Sequence, residues 1–286
     1  MLQKEENPGH QLNETQKYIL GIMRNVAGIL DELSIPYYIQ GGTMLGAVRH
    51  QGFIPWDDDI DLGIMRQDYE RFLRDISAHL PENLELRTYW DETDHHYYFS
   101  RIVDKRYKIM RLGSMETRCE NVWIDIFPLD GMPNGALARS WHKLRLLLHR
   151  VKYHISCLEK VNVKRPGRAL VERIIIKVAA VTRMPKWFHT RKELDTLDRL
   201  LKKYPVETSD YVINFMGQTS YRFNELFRKE VYGNTVLYPF EDLRLPGPEQ
   251  YDVYLTSLYG NYMEPPKEED RNAHVSKLVK NDDGVD

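Results

Sequence analysis

Cysteine is nearly absent from this chain of 286 residues: Cys119 and Cys157 are the only two, and they form no Cys-x-x-Cys pair. Two thiols cannot build a disulfide scaffold or a zinc ribbon, so a reducing, cytoplasmic setting is expected. Long apolar runs are lacking as well. None approaches the roughly 20 residues that a spanning helix needs, and the opening Met-Leu-Gln-Lys-Glu-Glu-Asn-Pro lacks the basic-then-apolar order of a secretory leader. No repeat or low-complexity tract is present, which excludes solenoids and linker-like chains. Net charge is also small, at -2. What the chain does have is 42% hydrophobic residues, enough for a substantial core in one large domain or one domain with an elaborated lobe.

The small net charge conceals an uneven distribution. From Arg139 to Lys192 there are fifteen Lys or Arg and only two acids, Glu159 and Glu172, so a basic segment is set into an otherwise acidic protein. That segment must meet something anionic or lie against the acidic remainder. Nucleic acid is not expected, because the acidic remainder would repel it and no reading motif is evident.

Hydrophobic spacing predicts a core helix over 13–34, with Ile19, Ile22, Met23, Val26, Leu30 and Leu33 on one face and Asn13 as its cap. A short strand, Tyr37 to Gln40, stops at Gly41-Gly42, and a helix from Thr43 to about His50 follows. Asp57-Asp58-Asp59-Ile60-Asp61-Leu62-Gly63-Ile64 ends in a strand-like alternation. A helix over 68–80 precedes strands near 84–89, 96–103 and 107–111. Asn121 to Phe127 is apolar save for Asp125 and reads as a buried strand limited by Pro128. Helices are expected at 138–160, 168–182, from Glu193 to Tyr204, and at 248–259, with a strand at 210–216. This order of elements gives an α+β (α/β-like) class. The expected division is a core over 1–136, a basic helical insertion over 137–205, a C-terminal part over 206–275 packing on the core, and a frayed tail over 276–286.

Three features carry chemistry. Gly41-Gly42-Thr43 ends the first strand, Asp59-Ile60-Asp61 begins seventeen positions after Gly42, and Asp125 lies alone in its apolar strand. Residues two apart on a strand face the same side, about 6.5–7 Å apart at their Cα atoms, so Asp59 and Asp61 are expected to point into one site. Paired carboxylates suit a hard cation, Mg²⁺ or Mn²⁺, with Asp125 as a third ligand if its strand is adjacent. The glycines allow close backbone approach to a phosphate, and Arg49 is a candidate second phosphate contact. Plainer readings stand beside this one. The acidic run can be a solvated turn. A calcium loop fails at Leu62, where glycine is needed, and at Asp68, where glutamate is. Asp125 can be paired with a core Arg such as Arg101.

The run from Gly41-Gly42-Thr43-Met44-Leu45-Gly46-Ala47-Val48-Arg49-His50 through Gly52-Phe53-Ile54-Pro55-Trp56-Asp57-Asp58-Asp59-Ile60-Asp61 strongly resembles the LicD family. Trp123 to Asp130 and the stretch from Leu245-Pro246 to Tyr262 support it, so roughly residues 15–275 are covered, the basic middle least clearly. The resemblance implies a nucleotidyltransferase-type mixed sheet flanked by helices, with Asp59, Asp61 and Asp125 as metal-binding and catalytic acids. It also implies transfer of phosphocholine from CDP-choline to a glycan such as a lipopolysaccharide or teichoic acid precursor, with CMP released. A nucleotidyltransferase that leaves the nucleotide on its acceptor, and a non-catalytic binding module, are the alternatives. A choline head group asks for aromatic faces. Trp56 is the first candidate, ahead of Trp123 and Tyr98, and each can equally be core. Ala169 to Thr182, apolar with basic flanks, suits either packing on the core or peripheral contact with an anionic leaflet on the inner face of the membrane, where a lipid-linked acceptor would be met.

Overall fold

The computed structural model describes residues 11–91, 97–112, 118–157, 188–217, 223–267, 271 and 275–281. It is an α+β architecture, with helices packed on a mixed, eight-stranded central sheet. Helix α1 spans Glu14–Glu32 and begins as its sequence requires. Asn13 accepts from the Gln16 N–H while Gln16 returns a bond to the Asn13 N–H, a reciprocal capping box. Its buried stripe of Ile19, Met23, Val26 and Leu30 packs into the main core. Strand β1 (Tyr38–Ile39) leads directly into helix α2 (Gly41–Arg49), which starts on the glycines themselves, two residues before the expected Thr43.

Strand β2 covers Asp61–Met65, α3 covers Arg66–Asp75, and β3 covers Leu84–Arg87. Strand β4 (Ser100–Leu112) unites two expected strands into one, interrupted between Asp104 and Lys108. That irregularity is held by Asp104, whose buried carboxylate accepts from Tyr18, Asn83 and Arg106. Burial opposes ionisation there, yet the hydrogen bonds from Arg106, Tyr18 and Asn83 keep the Asp104 carboxyl below its usual range.

Strand β5 (Arg118–Met132) runs straight through Pro128, where a stop was expected. The reason lies in which edge loses its donor. The Asp125 N–H bonds the Ile60 carbonyl on the β2 side, so by alternation the nitrogen of Pro128 faces β4. The β4 ladder has ended at the Ser100–Ile126 pair, and no hydrogen bond is forfeited. The sheet order is β1-β2-β5-β4-β10, where β10 is Val275–Lys280; β2 and β5 are parallel and the other neighbours in this path antiparallel. A frayed end from residue 276 was the expectation, and β10 instead pairs residue by residue with Tyr107–Leu112 of β4.

Helix α4 (Ala136–Ser156) and helix α5 (Thr190–Leu201) carry the two ends of the basic segment and pack on each other. A second apolar cluster joins Leu146 and Tyr153 of α4 and Leu194, Leu197 and Leu201 of α5 to Met132 and Tyr98. A buried ion network ties α3 and α5 to the sheet. Arg66 makes two bonds to Asp130, at 2.6 and 3.0 Å, and also meets Tyr98 and Asp198. The expected helix at 168–182 lies outside the described residues. Short strands β6 (Tyr211–Ile213) and β7 (Leu226–Arg228) extend the sheet from the end of β5. After a single helical turn, α6 (Lys229–Tyr232), come the hairpin of β8 (Val236–Phe240) and β9 (Leu243–Gly247) and then helix α7 (Tyr251–Tyr259). No described helix is long and apolar enough to cross a membrane.

Candidate active site

The parallel ladder sets Asp61 directly opposite Asp125, and the antiparallel ladder sets Arg101 opposite Asp125 on its other side. Cross-strand partners share a face, so Asp61, Asp125 and Arg101 form one row across β2, β5 and β4. Asp59 lies in the loop before β2, not on the strand, so strand alternation does not align it with Asp61 as expected. Its charge nevertheless reaches Asp61.

Asp61 is held by its backbone. Its N–H donates to Thr43 Oγ1 at 2.9 Å, and its carbonyl accepts from the Gln40 N–H at 2.9 Å. Thr43 therefore serves as an anchor for the acidic strand, with its hydroxyl oxygen committed inward. The Gly41 N–H donates to the Tyr254 hydroxyl, and the Tyr254 and Tyr232 hydroxyls both donate to Gln40 Oε1, so α7 is locked onto the glycine turn. Gly41 has φ +49, a conformation that favours glycine, and a Cβ there would stand 3.4 Å from Asp61 Oδ2. A Cβ on Gly42 would come within 2.9 Å of Asp57 Oδ2. The two glycines thus make room for carboxylates before any ligand is considered.

Around Asp61 negative charge accumulates. Its carboxyl is pushed well above the usual range, first by burial and then by Asp59, Asp125, Asp57 and Glu225. Asp125 is differently placed. Arg101 Nε donates to its Oδ1 at 2.7 Å, and Trp123 Nε1 to its Oδ2 at 3.1 Å. The Arg101 guanidinium is itself packed between the rings of Tyr97, at 4.2 Å, and Trp123, at 4.4 Å. The core-Arg pairing weighed from the sequence is therefore present, and Asp125 still stands beside Asp61. Among the described residues no three Asp, Glu, His or Cys side chains are already gathered at metal-ligating distance. Like charges repel, and Asp125 is drawn to its cation. The donor chemistry itself fits a hard divalent ion: all-oxygen ligands, and a buried carboxyl that its neighbours force toward the protonated form.

A cavity of about 280 Å³ opens at the Asp61 end of this row, lined by Gly41, Gly42, Asp61, Asn214, Glu225 and Tyr259, while Asp125 and Arg101 are not among its lining residues. Phe127, two positions beyond Asp125 on the same face of β5, lines it too. Glu225 and Tyr259 were not singled out from the sequence. Nothing in their local pattern marks them, since β7 and α7 bring them in from far along the chain. The Tyr259 phenol is held far above its usual range by burial and by the charges of Asp61, Glu225, Asp57 and Asp59, so it enters the cavity as a hydroxyl.

The remaining expected contacts fall at the rim. Arg49 donates to the Tyr262 carbonyl at 2.7 Å and to His50 Nε2 at 2.9 Å, and burial, with the like charge of Arg271, lowers its pKa. Trp56 is half-buried, edge-on to His50, with the Arg271 guanidinium 4.4 Å over its ring. Of the other aromatics considered for a cation, Trp123 bonds Asp125 and packs on Arg101, and Tyr98 is buried in the Arg66–Asp198 network away from the cavity.

Comparison with known proteins agrees with this geometry. Over 264 residues, 92% of this chain and 95% of the other, it is 28% identical to the lipopolysaccharide cholinephosphotransferase LicD of Haemophilus influenzae. Shorter matches fall on the human ribitol 5-phosphate transferase FKRP, 42% identical over 57 residues, and on the mouse ribitol-5-phosphate transferase FKTN, 41% over 49 residues. These cover 20% and 17% of this chain and 10% and 11% of the relatives. Residues 34–154 match the family described as LicD/FKTN/FKRP, nucleotidyltransferase domain, in agreement with the near full-length similarity to a LicD protein.

Proposed function

We propose that this transferase of phosphorus-containing groups moves phosphocholine from CDP-choline to a hydroxyl of a cell-surface glycan or its lipid-linked precursor, releasing CMP. The observation that carries the reading is the in-register pair of Asp61 and Asp125, with Asp61 lining a cavity that Gly41 and Gly42 also line. Asp59, Asp61 and Asp125 would hold Mg²⁺ or Mn²⁺ there. When bound, such an ion neutralises charge on the pyrophosphate. The chain's own residues position and exclude. Thr43 and Gln40 fix the Asp61 backbone, Arg101 and Trp123 fix both Asp125 oxygens, and the missing side chains at Gly41 and Gly42 leave room for the Asp61 and Asp57 carboxylates.

The acceptor oxygen attacks the phosphorus that bears choline, the bond from that phosphorus to the CMP oxygen breaks, and the hydroxyl proton leaves to a carboxylate of the cluster. Since Arg271 already covers a face of Trp56, the quaternary ammonium is better served inside the cavity, by the Tyr259 and Phe127 rings and the charge of Glu225. Incubation of the chain with CDP-choline, Mg²⁺ and a glycan acceptor tests the reading. CMP in solution and phosphocholine on the glycan are expected. Cytidine monophosphate on the glycan would replace the reading with nucleotidyl transfer, and no transfer together with retained nucleotide binding would make the chain a binding module.

A further inference from the structure

Helix α4 is built the wrong way round for a helix that only supports a core. Its buried face carries His142, Leu146, Arg150 and Tyr153, two of them polar, whereas its outer face carries the large apolar residues. Leu137, Trp141, Leu144, Leu148 and Val151 are 89%, 64%, 56%, 52% and 39% exposed. Their spacings of four, three, four and three place them in one stripe, and at about 1.5 Å per residue it runs roughly 21 Å along the helix. Scattered exposed leucines need no explanation, but an aligned stripe with a tryptophan in it does.

The charges beside the stripe indicate what covers it. Helix α4 contains five Lys or Arg and not one acid. Arg145 and Lys152, at about 80° and 60° around the helix from Leu137 by the 3.6-residue turn, border the stripe on one side. Both keep partial exposure. An apolar stripe with a cationic border and no carboxylate matches a surface that is apolar within and anionic at its rim.

We infer that α4 is an interfacial helix that docks this chain on an anionic lipid leaflet, inserting Trp141, Leu144 and Leu148 below the headgroups and setting Arg145 and Lys152 among them. The inference is independent of the transferase reading. If both hold, docking brings the cavity to acceptors that are carried on lipid.

Flotation of the full chain with vesicles tests it, using phosphatidylcholine alone and phosphatidylcholine with phosphatidylglycerol, each at low and high salt. Binding is expected to the mixed vesicles, weakened by salt. The double variant Leu144→Glu, Leu148→Glu alters only exposed positions and is expected to melt like the parent while binding about tenfold or more weakly. Arg145→Glu with Lys152→Glu is expected to lose the preference for anionic lipid. Equal binding to neutral vesicles, no binding to either, or unaltered binding by the leucine variant each overturns the inference. A concentration-dependent dimer that the leucine variant dissolves, without vesicle binding, would assign the stripe to a second copy instead.

Discussion

Replacing Asp61 by Asn separates the electrostatic cost of the site from its architecture. The two hydrogen bonds that fix Asp61 use its backbone, so the amide side chain leaves them in place. Its carboxyl is buried among Asp59, Asp125, Asp57 and Glu225, which hold it well above its usual range. For an acid whose folded pKa exceeds the unfolded value of about 3.9, stability is greatest below that value. It falls as pH rises toward the folded pKa, and above that the loss is constant. Each unit of elevation costs about 1.4 kcal/mol, and about 1 kcal/mol moves the melting of a large domain by roughly 2–4 °C. With divalent ions chelated, Asp61→Asn is therefore expected to melt several degrees above the parent at pH 8, a gap that closes toward pH 4. Mg²⁺ should raise the parent's melting temperature more than the variant's, and transfer activity should be lost in the variant. Scanning calorimetry at both pH values, with EDTA and with Mg²⁺, reads all of this. A variant that melts below the parent at pH 8 in EDTA would mean that the carboxylate makes a stabilising contact, and the argument for crowded charge would fail.

Arg101→Met strands the buried Asp125 carboxylate, and urea unfolding is expected to show a loss of about 3–5 kcal/mol that Asp125→Asn in the same chain partly restores; no restoration would mean that Arg101 acts through its packing on Tyr97 and Trp123 alone. Glu225→Gln is expected to raise the KM for CDP-choline about tenfold while leaving that for CDP-glycerol nearly unchanged, and parallel shifts for both donors would remove Glu225 from head-group recognition. His142 is buried against Tyr204, and burial, then Arg145 and Lys203, depress its pKa to about 4. Its contribution to stability is whole above the unfolded value of about 6.5 and is lost as pH falls through 6.5 toward 4. Melting curves of His142→Phe over that interval should show a shallower acid decline than the parent, and an identical slope would refute the assignment.

The fold was legible wherever one periodicity ruled a segment. Asn13 and Gln16 announced the start of α1, and the Gly41-Gly42 turn announced the break between β1 and α2. Errors arose where tertiary pairing overrode a local rule. Pro128 looked like a terminator because its missing donor was counted without knowing which neighbour it faced, and β4 has nothing to offer at that position. Strand β10 went unseen because its stability comes from pairing with Tyr107–Leu112, more than 160 residues upstream.

Asp61 and Asp125 were legible as single acids on apolar strands after a glycine turn, whereas the alternation argument that put Asp59 beside Asp61 failed because Asp59 precedes β2. Their company was legible only in part. Arg101 was a named candidate partner of Asp125, but only the β4–β5 register, which shifts between Asp104 and Lys108, sets the two opposite each other. Glu225 and Tyr259 reach the cavity from just before β7 and from the end of α7, and although a helix was expected at 248–259, nothing in its pattern singled out Tyr259. This division has a chemical consequence. On the proposed reading, the groups that would hold the phosphates come mostly from one compact, recognisable stretch, whereas Glu225 and Tyr259, which would meet the transferred alcohol, come from the C-terminal part of the chain. The relatives themselves differ in the group they are named for, cholinephosphate in one and ribitol 5-phosphate in another. If the proposed function holds, exchanging Glu225 and Tyr259 is expected to change the preferred donor alcohol while leaving the backbone hydrogen bonds of Asp61 in place.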